Sequence, residues 1–167
     1  MVIFCVHIPM RASNNQNVQA VLELLKPFAE VHVMSGHTHY AENNVYDSHY
    51  EHVHGAACGA WWNSTINVDG TPNGYAIYNI KGATITDWVY KGTGLDAQQQ
   101  IRLYRANDIF MRDYSKNYQF YYKGDDQIVA NVWNADKDWK IEVYENGIKT
   151  GEMTHFDYTG NEKDKSW

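Results

Sequence analysis

Between residues 2 and 35 the hydrophobic pattern changes period twice, and this limits the folds open to the chain. VIFCV (2–6) is an unbroken run of β-branched and aromatic side chains, the pattern of a strand covered on both faces. HIPMRASNNQ follows as a polar loop, in which Pro9 drives Ile8 toward extended geometry. From Asn17 the apolar residues Val18, Val21, Leu22, Leu24, Leu25 and Phe28 recur with a helical period; Asn14, Asn15 and Asn17 offer caps, and Pro27 closes the element. EVHVMSG (30–36) then reads as a second short strand. Strand, loop, helix, strand is the crossover unit of a parallel sheet, and ligands bind in the loops at the carboxyl ends of such strands. His7 and His37, one at the end of each strand, are therefore expected on the same sheet edge.

Beyond Tyr40 helical periodicity does not return. YEHVHGAACGAWW, GYAIYNI and ATITDWVYKG are strand candidates separated by turn signals such as VDGTPNG and KG. QIRLYRA, YQFYYKG, QIVANVWNA, WKIEVYENG and KTGEMTHF continue the series at the spacing of a β-sandwich or barrel. The polar stretch GLDAQQQ (94–100) marks the expected boundary, giving an α/β segment over 1–94 and an all-β, sandwich-like segment over 95–167.

A hydrophobic fraction of 44% and a charged fraction of 20% place the chain among globular proteins and not disordered ones. No apolar run is long enough to span a bilayer, and MVIFCVHIPM is too short and uncharged at its start to be a signal peptide. With a net charge of -6 and 14 scattered basic residues, the chain lacks the clustered cations of a nucleic-acid surface. Cys5 and Cys58 are too few for a disulfide framework and read as small buried apolar side chains. The 13 Tyr and 6 Trp suit an extensive sheet core, with a base- or sugar-stacking surface as the alternative use.

VMSGHTHY (33–40) carries the chemistry. Neutral imidazole is the commonest protein ligand for divalent transition metals. On an extended segment His37 and His39 would point the same way, with alpha carbons ~6.5 Å apart, a spacing suited to two adjacent ions. Gly36 lets the backbone turn there without an obstructing side chain. His52 and His54 alternate along a strand and face one side, either beside this site or as hydrogen-bonded sheet residues. Asp69 and Gly70 read as a turn, with Asp69 and Asn73 able to bond their own backbone. Trp61 and Trp62 must face opposite sides of a strand. Cys58 has no evident base beside it and reads as packing, not as a nucleophile.

The order of apolar strand, His7 followed by Pro9, helix, strand, then G-H-T-H resembles the last two metal motifs of the calcineurin-like metallophosphoesterases. EHVHGAACGAWWNSTINVDGTPNGYAIYNI (51–80) is similar to a bacterial subgroup of that family, and NVWNADKDWKIEVYENG (131–147) to its appended C-terminal domain. The resemblance implies the C-terminal half of a metallophosphoesterase α/β sandwich followed by a β-sandwich accessory domain. It also implies a hydrolase of phosphate mono- or diesters using two divalent ions, Mn, Zn or Fe. Carried over, His7 and His37 would bind one ion and His39 the other, with His52, His54 and Asp69 near the site.

The family's D-x-H, G-D-x-x-D and G-N-H motifs precede its lone histidine, whereas only six residues precede His7 here. The bridging aspartate, the asparagine and the catalytic histidine are therefore expected to be absent, with at most one ion bound and little activity from this chain alone. Asp47-Ser48-His49 has D-x-H spacing in the wrong place; Gly124-Asp125-Asp126-Gln127 meets Ile128 where a carboxylate is needed; Gly160-Asn161 is followed by Glu162 instead of histidine. Competing readings are a catalytically silent β-rich module that binds glycan or protein through aromatics, and a structural-metal domain. Missing neighbour strands would expose the edge of VIFCV and favour self-association.

Overall fold

The computed structural model describes residues 1–11, 15–59, 65–67, 69–105 and 127–155, which group into two units, residues 1–100 with 132–138 and residues 101–131 with 139–167. The first opens with β1 (Val2–Cys5), α1 (Gln16–Leu25) and β2 (Val31–Ser35). β1 and β2 pair in parallel, Val2 opposite Val31 and Cys5 opposite Met34, so both chains leave the sheet at one level. β3 (Glu42–Val45) and β4 (Tyr50–Val53) follow; β4 is parallel to β2 and antiparallel to β3, giving a sheet of order β1-β2-β4-β3.

Val31 and Val33 on one face of β2 and His32 on the other are all buried, as a strand flanked on both sides requires. β1 departs from the expectation of a strand covered on both faces. It lies at the sheet edge, its residues alternate between half-buried and exposed, and Ile3 is 38% exposed. Cys5 and Cys58, expected to be buried, are both exposed, Cys5 because it points to the open face of β1. In α1 the Asn15 side chain accepts the Asn17 N–H at 2.9 Å and the last turn closes through Lys26 N–H to the Leu22 carbonyl, just ahead of Pro27. None of its residues is buried, and Leu24 remains 74% exposed. No helix among the described residues is long and apolar enough to cross a membrane.

β5 (Gly74–Lys81) and β6 (Thr84–Gly92) form an antiparallel hairpin turned at Gly82, whose φ of 65° suits a residue without a side chain. Trp133 is buried in the same unit, its N–H donating to the Gln100 carbonyl. The second unit holds β7 (Ile101–Arg105) paired with most of β8 (Ile128–Val132), and β9 (Glu142–Glu145) paired with β10 (Ile148–Glu152). Asn146 and Gly147, at φ of 51° and 80°, make the two-residue turn whose twist matches a β9–β10 hairpin. The architecture is thus α/β and β-rich. Trp61, Trp62, the strand candidate YQFYYKG, Gly124 to Asp126 and Gly160 to Glu162 lie outside the described residues.

Candidate metal centre

Because β1 and β2 are parallel and in register, their exits place His7 and His37 together. The Val6 N–H donates to the Met34 carbonyl and the Gly36 N–H to the His7 carbonyl, which carries the pairing past the strand ends. His37 Nδ1 lies 2.9 Å from His7 Nε2, the rings edge to face with centroids 4.8 Å apart, and both residues are exposed. In this pair one nitrogen donates and the other accepts. Two nitrogens held by one tetrahedral ion at ligand distances of ~2.05 Å would sit about 3.3 Å apart, so the pair is within a few tenths of an ångström of that spacing, and loss of the shared hydrogen with a turn of the rings would be needed for both lone pairs to face a cation.

His37 and His39 were expected to share a direction on an extended segment, and here the backbone departs from that. β2 ends at Ser35, and His37 and His39 both take left-handed backbone, at φ of 70° and 59°. The i, i+2 rule of a strand does not apply to such a turn. His37 consequently meets His7, while His39 Nδ1 meets the Gly59 carbonyl at 2.9 Å. That contact requires hydrogen on Nδ1. Among the described residues no three His, Cys, Asp or Glu side chains come together in a group able to hold an ion; His7 and His37 are brought together as a pair, while His39 turns to the Gly59 carbonyl.

Two carboxylates brace the loops that carry these histidines. Glu51, on β4, is 0% exposed and accepts the N–H groups of Met10 and Arg11, the latter at 2.8 Å to Oε2. It fixes the loop that follows His7. Burial pushes its carboxyl above the usual range, against the pull of the Met10 and Arg11 N–H groups. Asp69 accepts the Ala41 N–H at 3.0 Å and both the N–H and the hydroxyl of Thr71, at 3.1 and 2.8 Å. It ties the segment after His39 to its own Asx-type turn. Desolvation raises its carboxyl to about 6 despite these donors. No motif singles out Glu51 in the sequence; a lone carboxylate inside the apolar-flanked YEHV was the available signal.

His52 and His54 are hydrogen-bonded members of the first unit. His52 contacts His32 and Asn43, at 2.9 and 2.8 Å, while His54, just past β4, contacts the Ser35 carbonyl and the Tyr78 hydroxyl at 3.0 and 2.7 Å. Burial holds both imidazoles low, His52 to about 3 and His54 below its ordinary value. Asp47-Ser48-His49 lies in the turn between β3 and β4, with Ser48 Oγ 3.0 Å from His49 Nδ1. His49 is buried there at the amino end of β4, which is parallel to β2, and so lies at the opposite end of the sheet from His7 and His37.

Against known proteins, the model of the C terminal of calcineurin-like phosphoesterase matches residues 51–166. No curated protein and no solved structure matches the chain. Since the matched stretch takes in most of the sequence, the chain belongs to the calcineurin-like phosphoesterases, as their C-terminal part.

Proposed function

We propose that this chain supplies histidine ligands to the metal site of a phosphate-ester hydrolase and does not by itself complete that site. The observation that carries the reading is the 2.9 Å approach of His7 Nε2 and His37 Nδ1 at the level ends of two parallel strands. Their donor chemistry fits a divalent ion such as Mn²⁺, Zn²⁺ or Fe²⁺: two neutral nitrogens, exposed and nearly at ligand spacing. His39, steered by the Gly59 carbonyl, is the ligand for a second ion. When bound, such ions lower the proton affinity of water and draw charge from phosphoryl oxygens.

The chain's own groups hold this geometry. Glu51 keeps the loop beyond His7 in place, and Asp69 does the same beyond His39. Imidazoles bring no negative charge, so two dications need carboxylates from elsewhere, and one ion is the limit for His7 and His37 alone. A displaced alkoxide also needs a positioned acid, which the two exposed imidazoles cannot be while they ligate metal.

The test compares residues 1–167 with a chain extended upstream to include D-x-H, G-D-x-x-D and G-N-H, using p-nitrophenyl phosphate and bis-p-nitrophenyl phosphate with Mn²⁺ or Zn²⁺. The expected result is background turnover by residues 1–167 and metal-dependent turnover by the longer chain, lost in His37→Ala and His39→Ala. Metal-dependent turnover by residues 1–167 that survives His39→Ala would overturn both the site and its incompleteness.

A further inference from the structure

A row of polar side chains, separate from the His7–His37 pair, runs through the first unit. Glu30 Oε1 accepts the Ile85 N–H at 2.8 Å and lies 3.0 Å from His32 Nε2. His32 Nδ1 lies 2.9 Å from His52 Nε2, and His52 Nδ1 lies 2.8 Å from Asn43 Oδ1. Asn43 Nδ2 reaches the Asn134 carbonyl at 3.2 Å and Asn134 Oδ1 at 3.4 Å, while Asn134 Nδ2 reaches the Trp88 carbonyl at 3.0 Å. His32 and His52 are each 1% exposed.

The directions of these bonds follow from the ends of the row, because the end groups only accept. The Trp88 carbonyl requires Asn134 to present its amide hydrogens, so Asn134 Oδ1 and its main-chain carbonyl both face Asn43. Asn43 must then present Nδ2 to them and Oδ1 to His52, whose Nδ1 must carry hydrogen. At the opposite end the Glu30 carboxylate requires hydrogen on His32 Nε2. The central contact between the rings needs one hydrogen more. Three hydrogens on four ring nitrogens exceed by one what two neutral imidazoles carry.

We infer that the His32–His52 pair is a buried proton-binding site holding one extra proton at neutral pH, balanced by Glu30, and that this proton clasps β2, β3 and β4 to the segment around Asn134. Glu30 does not donate in its place, since the Ile85 N–H and the His32 ring hold its carboxyl below the usual range. Burial keeps His52 the neutral member, and a proton on His32 acts in the same direction, so the extra proton sits on His32 beside Glu30.

The other groups facing the pair supply no compensating charge. Tyr50 stacks on His32 at 4.8 Å between ring centroids, and Trp88 meets both rings edge to face. Tyr78 lies 5.2 Å from His52, with its hydroxyl held above its ordinary range by burial, and His54 is held low. The sign follows directly. The clasp is complete in acid-to-neutral solution and opens as pH rises and the proton leaves, because one contact then sets lone pair against lone pair. The half-exposed edge strand β3 has least else to hold it and is freed first.

The test uses the whole chain labelled with ¹⁵N, read by long-range ¹H–¹⁵N correlation of the histidine rings at about pH 7.5. The expected wild-type pattern is His32 with both nitrogens protonated and His52 with one. Either end of the row can be altered to discharge the extra proton. In Glu30→Gln the amide oxygen must stay on the Ile85 N–H, so the carboxylate charge that balances the proton is lost. In Asn43→Ala, a change at the exposed edge that keeps the carboxylate, His52 Nδ1 no longer needs hydrogen. Both variants should show two neutral imidazoles at the same pH, and either one suffices if the other does not fold. One protonated and one bare nitrogen on each ring of the wild type would overturn the inference, as would a doubly protonated His32 that survives Asn43→Ala.

Discussion

Replacing Asp69 by asparagine should remove a definite part of the pH dependence of stability. In the folded chain the Asp69 carboxyl holds its proton up to about 6, against 3.8 for an ordinary aspartate. Unfolding releases it to water, so between those two values the native state binds more protons than the unfolded one. Its contribution is fully present below the ordinary value, falls as pH rises through the window, and levels off above about 6. About two pH units at roughly 1.4 kcal/mol each amount to about 3 kcal/mol. The asparagine amide would also turn hydrogens toward the Ala41 N–H or the Thr71 donors, a pH-independent loss of about 1–3 kcal/mol. Urea unfolding at steps from about pH 3.5 to 7.5 separates the two, since the first is a slope and the second an offset. Glu51 adds a decline of the same sign and Glu30 one of opposite sign, both common to the two proteins. The expected wild-type-minus-variant difference therefore shrinks by about 3 kcal/mol across the window. A difference that stays flat would refute the reasoning, because it would mean that burial of the Asp69 carboxyl does not outweigh the pull of the Ala41 and Thr71 donors.

Further outcomes follow from the same contacts. By calorimetry, His7→Ala and His37→Ala should each abolish zinc binding by residues 1–167, while His39→Ala should leave it within a few-fold; equal loss in all three would mean one three-imidazole site. Glu51→Ala strands the Met10 and Arg11 N–H groups in the interior and should cost about 3–5 kcal/mol in urea unfolding. Glu51→Gln, which keeps an acceptor and sheds a buried charge, should cost much less; matching losses would show that packing alone was at stake. Ile3→Lys on the open side of β1 should lower self-association in sedimentation runs at high concentration, and an unchanged distribution would exclude that edge as the contact.

The parts of the fold that could be read from the sequence are those encoded in local period. Val18 through Leu25 announce a helix, VIFCV and EVHVM announce strands, and their order dictates the parallel pairing that brings His7 to His37. β3 escaped because ENNV has three polar residues and a single valine: it is an edge strand whose Asn43 is chosen for a hydrogen bond to His52 instead of for burial. The extended reading of G-H-T-H failed for a related reason. Left-handed backbone is signalled by glycine, and here two histidines adopt it without such a mark. Glu51 and Glu30 were equally silent, since a carboxylate that serves buried N–H groups or imidazoles looks in one dimension like any solvated acid.

The positive φ angles of His37 and His39 set chemistry and durability against each other at the same two positions. A side chain bearing a Cβ is strained there by about 1–2 kcal/mol, and glycine would relieve it. A directed-evolution campaign rewarding only heat resistance would therefore tend to erase these imidazoles, and lineages that keep them are those in which something other than folding is under selection.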